Sequence, residues 1–333
     1  MNGFTREYVG CNHNSYPPCP IEHPQYAYVP HYETKPYFDM ARQYVLADRM
    51  FASNFDASSF ISHQYIIAGQ ASSAVNYPDS AWGCEGGKKD LIGTVTLQRT
   101  LYNGYIRTCF DNTTLGDELD EAGLPWAFYA ASYSSSYLSI WSAYQAIGHI
   151  FYGPDWNKDV LPNLRFFDDV KRGRLRAVSW ITPSCANSDH AGCGSDTGPS
   201  WVTSLVNAVG RSRYWDSTAI FIMWDDYGGW YDPVGPEMVD YDGLGIRIPL
   251  VVISPYAKKD YVSHVHFEHG SILRFAEDRF GLARLAASDA RANSLDDCFD
   301  FDQSPRSFVT IKAPHDENYF RHQALDLRIP DSE

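Results

Sequence analysis

The sequence predicts an α/β fold: a layered domain with a mostly parallel central sheet and helices on both faces. Three observations carry this reading. The runs at 218–224 (Thr-Ala-Ile-Phe-Ile-Met-Trp) and 248–253 (Ile-Pro-Leu-Val-Val-Ile) are almost continuously apolar, as strands covered on both faces should be. A third strand is expected at 175–181. Helical stretches at 201–209 and 270–280 lie between or after these runs, and strand–helix alternation is the mark of a layered α/β domain. The 333 residues exceed the usual single-core size, but α/β folds often run this long, so one domain over 1–333 is expected, with 283–333 as a C-terminal extension.

Taken in chain order, the segment up to Pro30 is rich in Pro, Tyr, Asn and His, has no apolar period, and reads as a surface loop. From Pro36 a helical pattern begins, with Tyr37, Met40, Ala41, Tyr44 and Val45 on one face. A second helix is expected through Phe60-Ile61 and Tyr65–Ala68, starting at Ser58 or Ser59 and stopping at Gly69. Between 72 and 174, turns rich in Gly and Asn alternate with short strands such as 94–97, and a further helix is expected near 139–147.

Hydrophobic content of 44% and charged content of 20% belong to the soluble globular class, and no stretch approaches the ~20 apolar residues that cross a bilayer. The net charge of −14 repels nucleic acid phosphates and anionic surfaces, so nucleic acid is excluded as a partner and any phosphate substrate needs a dedicated cationic site. The 23 Tyr and 9 Trp suit wide loops packed by amphipathic rings, and suit a carbohydrate or lipid groove equally. Seven cysteines fall as Cys11/Cys19, Cys84/Cys109 and Cys185/Cys193, with Cys298 left over. Disulfides in an oxidising compartment, secreted or periplasmic, are the expected reading. A zinc knuckle is the rival, although no pair has its two-residue gap. Asn112-Thr113-Thr114 is a glycosylation triplet of little weight. Met1–Arg6 lacks the basic start and apolar core of an export signal, which conflicts with the cysteine pattern and suggests a chain that has lost its natural beginning.

Asp225-Asp226 follows the apolar strand directly and precedes Tyr227-Gly228-Gly229-Trp230, at the sheet edge where α/β proteins place their sites. Adjacent carboxylates repel unless a cation or hydrogen-bond donors offset the charge, and hard divalent cations prefer such ligands. The plainer reading has one Asp capping the Gly-Gly turn and the other in solvent. Ser59, at a helix start, is either a simple cap or a hydroxyl beside helix amides that hold a phosphate oxygen; nothing local separates it from Ser58. His190 lies in a small polar loop that Cys185 and Cys193 would close. His264, His266 and His269 form a weaker candidate group, explained as readily by alternate strand residues and a helix start.

Together these segments resemble the phosphoesterase family of bacterial phospholipase C and acid phosphatase-like enzymes, within the alkaline phosphatase-like superfamily. The resemblance rests on four places: 41–51 with Ser59-Phe60-Ile61-Ser62-His63, then 187–190, then 224–232, and finally 245–249 through Ser254-Pro255 to 268–275. It implies an alkaline phosphatase-like fold and metal-dependent hydrolysis of phosphate esters. Ser59 is the implied nucleophile, His190 a catalytic histidine, Asp225 and Asp226 ligands of a divalent cation, and His63 and His269 substrate-binding residues. Monoester, diester and phospholipid substrates all remain open. Three departures stand out. Asp232-Pro233 replaces an Asp-His, His63 falls within a replaced phosphate-contacting Asn-Arg, and the apolar strand ending in Glu-Asn-Arg-Ser-Phe-Asp with which family members open has no counterpart. The last departure motivates a rival expectation, an inactive remnant that binds phosphorylated or lipid ligands.

Overall fold

The computed structural model describes residues 1, 3–4, 23–56, 58–79, 81–131, 141–190, 192–193 and 196–326. The strands among them are β1 (Val45–Ala47), β2 (Met50–Phe51), β3 (Ala74–Val75), β4 (Leu91–Val95), β5 (Leu101–Arg107), β6 (Trp126–Ala130), β7 (Val160–Pro162), β8 (Val178–Ile181), β9 (Ile220–Met223), β10 (Leu250–Ile253), β11 (Tyr261–Ser263) and β12 (Phe267–Glu268). They form a layered α/β structure with two principal sheets. One runs β7-β6-β8, entirely parallel; the other runs β11-β1-β10-β9. In the second sheet β10 is antiparallel to both β1 and β9, and only β1/β11 is parallel. An apolar run reports burial on two faces and carries no information on direction, which is why the expected strands appear where they should with partners the pattern did not reveal.

Burial explains the placement. All five residues of β6 and all four of β10 are buried, each at the centre of its sheet. The helix Gly198–Gly210 presents Trp201, Val206 and Val209 to the interior, and Pro199 sits at its first turn, where a missing N–H costs nothing. The helix Ser59–Ala68 is buried nearly all round and stops at Gly69, whose φ of +65° favours glycine. The first helix, His31–Gln43, starts five residues before the expected Pro36 and yields to β1 at Val45. Near 143–147 the expected helix is a single 3₁₀ turn, Ala143–Ala146, followed by the short helix Gly148–Phe151; residues 139–140 lie outside the described set.

Disulfides join Cys84 to Cys109 and Cys185 to Cys193, and Cys298 is buried and free. Cys11 and Cys19 lie outside the described residues. The Nδ2 atom of Asn112 is buried, so its glycosylation triplet is closed to a sugar. Beyond residue 282 the chain packs on the body: Phe320 meets Trp201 edge to face, and the Trp215 indole donates to the Arg306 carbonyl at 2.7 Å. No described helix is long and apolar enough to cross a membrane.

One buried acid gives the fold a pH signature. Asp242 is 1% exposed, accepts a hydrogen bond from the Tyr65 hydroxyl, and is pushed up to about 7, first by burial and then by Asp56 and Asp240. A carboxyl raised on folding contributes stability that is fully present below its unfolded pKa and lost as pH rises through the folded one. Between pH 4 and 7 this group should therefore remove roughly 3 kcal/mol. Asp242→Asn keeps an acceptor for Tyr65, so urea midpoints of the variant should fall less than those of the wild type across that window. Parallel pH profiles would refute the assignment.

Candidate active site

The second principal sheet ends on chemistry. β9 delivers Trp224, Asp225 and Asp226 to its carboxyl edge, and the turn beyond is made by Gly228 and Gly229 at φ of +61° and +76°, a conformation glycine adopts without strain. Asp226 Oδ1 accepts the Gly228 N–H at 2.6 Å, so this carboxylate does cap the turn. Its other oxygen, Oδ2, accepts the Ser59 hydroxyl at 3.1 Å across 167 residues of sequence. Capping and site chemistry use opposite oxygens of one side chain.

Ser59 is the first residue of its helix and Ser58 the residue before it. The two hydroxyls are not equivalent. Ser59 Oγ meets the Asp pair, whereas Ser58 Oγ makes no hydrogen bond although it is buried on the wall of the adjoining cavity. One turn along the same helix, His63 places Nε2 3.4 Å from Asp225 Oδ2, its ring edge-on to Trp82.

Charge divides the two carboxylates. Burial pushes Asp225 up, but the hydrogen bond and charge of His63, with Ser59, outweigh it and hold the group well below the usual range. Asp226 is pushed well up, by burial and then by the negative charge of Asp225. Like charges side by side cannot both ionise cheaply, so a proton stays on the pair unless a cation replaces it. Asp56 adds to the field. It is held by the Asn76 N–H at 2.5 Å and the Asn54 amide at 2.7 Å, lines the same cavity, and was not singled out in the sequence; an acid three residues before the helix-start Ser59 was the available signal.

His269 opens the helix His269–Phe280, capped by Glu268. It is fully enclosed, and burial lowers its pKa to about 4, so its ring is neutral at pH 7. Its Nδ1 accepts the Ser53 N–H at 3.3 Å, which leaves the proton on Nε2. That nitrogen is buried beside the Trp224 backbone and in the field of Asp225. In this tautomer it is a donor rather than a metal ligand. The other two histidines of the group stand apart: His264 is exposed and 2.8 Å from Asp48, and His266 stacks on Phe51. His190 lies on the wall of the same cavity, tilted against Trp141 and 3.9 Å from Cys193 Sγ. Arg247 is occupied by Asp232, at 3.0 and 2.9 Å, and by the Asp48 carbonyl.

Two buried carboxylates and a serine hydroxyl fit part of the oxygen shell of a hard divalent cation. Among the described residues no third acid or histidine places a ligand atom close to both, although His63 stands 3.4 Å from Asp225. The one trio of acids there with mutually close oxygens is Asp120, Asp155 and Asp159, away from β9, and Lys158 already stands 3.5, 3.4 and 2.9 Å from them. Its ammonium supplies the positive charge a metal would bring.

A sequence model of the Phosphoesterase family matches residues 23–283. The chain belongs to the Phosphoesterase family. Among similar proteins, the non-hemolytic phospholipase C of Pseudomonas aeruginosa is 28% identical over 238 residues, covering 57% of this chain and 33% of that protein. The non-specific phospholipase C1 of Arabidopsis thaliana is 26% identical over 312 residues, covering 84% of this chain and 52% of that protein. This phosphoesterase chain therefore spans a third to about half the length of these relatives. A solved protein of the alkaline phosphatase superfamily from Vibrio parahaemolyticus aligns over 81% of the chain and 67% of its own, at 11% identity and a TM-score of 0.44.

Proposed function

We propose that the chain carries the nucleophile centre of a phosphate-ester hydrolase, with phosphate monoesters or diesters, including phospholipid headgroups, as the substrate class. The observation that carries this is the hydrogen bond from Ser59 Oγ to Asp226 Oδ2, made at a helix start between a buried serine and a carboxylate that lines the cavity. Ser59 Oγ attacks phosphorus, its proton passing to Asp226 in its ionised form, the form a cation beside the pair would favour, and the ester oxygen leaves; water then hydrolyses the resulting phosphoserine. The amides of the first helical turn face the phosphoryl oxygens, and the neutral His269 donates its Nε2 proton to one of them. His63 balances Asp225 and stands one helical turn from the nucleophile. His190, on the cavity wall, is placed to protonate the leaving oxygen. A divalent cation on Asp225 and Asp226 would supply Lewis-acid stabilisation of phosphoryl charge. Membership of the Phosphoesterase family and similarity to phospholipases C support the reaction class, and two disulfides support an oxidising, secreted or periplasmic setting.

Acid quenching of the chain after mixing with a chromogenic phosphate ester, followed by peptide mass mapping, should place a phosphoryl group on Ser59. The unpartnered Ser58 hydroxyl favours one second reading, and a phosphoryl group there would transfer the role to it. The partial ligand shell favours another, binding without turnover. In that case no phosphoserine forms and calorimetry detects no divalent cation.

A further inference from the structure

The β4–β5 hairpin carries its apolar side chains on the outside. β5 is an edge of the sheet β3-β4-β5 and none of its seven residues is buried, whereas Ile92 and Val95 of the neighbouring β4 are. Leu97, Leu101, Tyr102 and Tyr105 are 74%, 45%, 52% and 60% exposed. A lone apolar residue at a surface is ordinary; four within nine residues of one hairpin make a patch. The tip that carries Leu97 is held in place. Thr96 Oγ1 accepts the Gln98 and Thr100 N–H groups at 3.2 and 3.0 Å. Arg99, packed over the Phe55 ring, donates to the Asp240 and Gly243 carbonyls at 3.1 and 3.3 Å. Little ordering entropy is left to lose on binding.

Strand pairing arranges these side chains along the hairpin. Val95 lies opposite Leu101, Gly93 opposite Tyr105 and Leu91 opposite Arg107. From tip to base the exposed residues are therefore Leu97, then Leu101 and Tyr102, then Tyr105, and last Arg107 with Lys88 and Lys89 just ahead of β4. The paired part spans four steps of antiparallel strand, about 14 Å. Aliphatic, aromatic and cationic groups in that order match the passage of a bilayer from hydrocarbon through its interface to the phosphates. Charge points the same way. Residues 86–107 hold Lys88, Lys89, Arg99 and Arg107 against a single acid, Asp90, which is buried, in a chain of net charge −14. Most of the molecule repels an anionic surface, but with a Debye length of ~8 Å at 0.15 M salt the nearest charges decide.

We infer that the β4–β5 hairpin is an anchor for an anionic phospholipid surface, Leu97 and Leu101 entering the acyl layer while Lys88, Lys89 and Arg107 meet the phosphates. Pairing of β5 with a second copy of the chain is disfavoured. Tyr102 at φ +53° and the register shift between Gly93 and Val95 break the regular edge that such a ladder needs. The anchor is tied to the candidate site through Asn76, which follows β3. Its Nδ2 donates to the Tyr102 hydroxyl at 2.8 Å and its N–H to Asp56 at 2.5 Å. Asp56, Asn76 and Tyr77 line the cavity that holds Asp225 and Asp226, so docking brings the mouth of that cavity to the lipid surface. This inference stands on the hairpin and does not rest on the hydrolytic reading.

The test is cosedimentation of the full chain with phosphatidylcholine vesicles containing about 30% phosphatidylserine, at ~0.15 M and ~1 M salt. Leu97→Asp/Leu101→Asp should weaken binding about tenfold or more at both salt concentrations. Lys88→Ser/Lys89→Ser/Arg107→Ser should weaken it about tenfold or more at the lower salt and match the wild type at the higher. Val309→Asp, at an apolar residue that is 59% exposed, should change neither. All the substituted side chains are exposed, and circular dichroism controls for folding. Absence of wild-type binding overturns the proposal, as does unchanged binding in either hairpin variant or an equal loss in Val309→Asp. A wild-type dimer that ignores vesicles and dissociates in Leu97→Asp/Leu101→Asp would assign the patch to a second copy instead. None of these readouts involves turnover, so their failure leaves the Ser59 reading standing.

Discussion

Ser59→Ala is expected to lower hydrolysis of a chromogenic phosphate ester by a factor on the order of 10³ or more, while Ser58→Ala stays within a few-fold of the wild type. The two residues are neighbours with similar burial, so generic damage to the helix start would affect both variants alike. What separates them is the acceptor: Ser59 Oγ donates to Asp226, whereas Ser58 Oγ has no hydrogen-bond partner. A hydroxyl with a carboxylate acceptor has somewhere to send its proton as it attacks; one without must leave it in place. Circular dichroism of both variants controls for folding. Full activity in Ser59→Ala would sink the assignment, and loss confined to Ser58→Ala would move it by one residue.

The second large effect is expected from a residue that touches no reacting atom. Arg291 grips Glu268 with two hydrogen bonds of 2.8 Å and also pairs with Asp240. Glu268 is 4% exposed, caps the helix that His269 opens, and accepts the Ser53 hydroxyl at 2.9 Å. Arg291→Met leaves that carboxylate buried without its cation, which should cost about 3 kcal/mol in urea unfolding. Adding Glu268→Gln removes the stranded charge and should recover part of the loss, a coupling that simple loss of packing would not show. A single variant within 0.5 kcal/mol of the wild type, in the range of ordinary surface changes, would count against the network. Because Ser53 and Glu268 flank His269, turnover should fall with the single variant and return with the pair.

The contrast between these networks and the sequence pattern shows where reading stops. The helix Ser59–Ala68 and the strand Ile220–Met223 were visible because apolar spacing and a stop glycine are local signals. The Asp pair was visible for the same reason, as two carboxylates between an apolar strand and two glycines. The bond that gives the pair its meaning spans 167 residues, and that of Ser53 to Glu268 spans 215. No local period encodes such distances. Strand direction was hidden too, since Leu250–Ile253 is equally apolar whether its neighbours run with it or against it. The His264, His266 and His269 spacing invited a common role, yet a strand–helix junction turns the three rings to solvent, to Phe51 and to the site. Asp56 escaped notice because its importance lies in the field it adds to Asp226, visible only in space.

β8 and β9 each end a sheet with no strand on the outer side among the described residues, which bears on how molecules of this protein meet one another. An unpaired apolar strand edge is a template for any other such edge, the geometry from which ladders between molecules grow. Two features restrain that growth. Both strands line one cavity, so the edges face inward, and the net charge of −14 makes every approaching copy a repelling one. The second restraint depends on the medium, because the range of that repulsion shrinks from ~30 Å at 0.01 M salt to ~3 Å at 1 M. Colloidal behaviour is thus tied to ionic strength, and dilute, low-salt solution is where separate molecules persist.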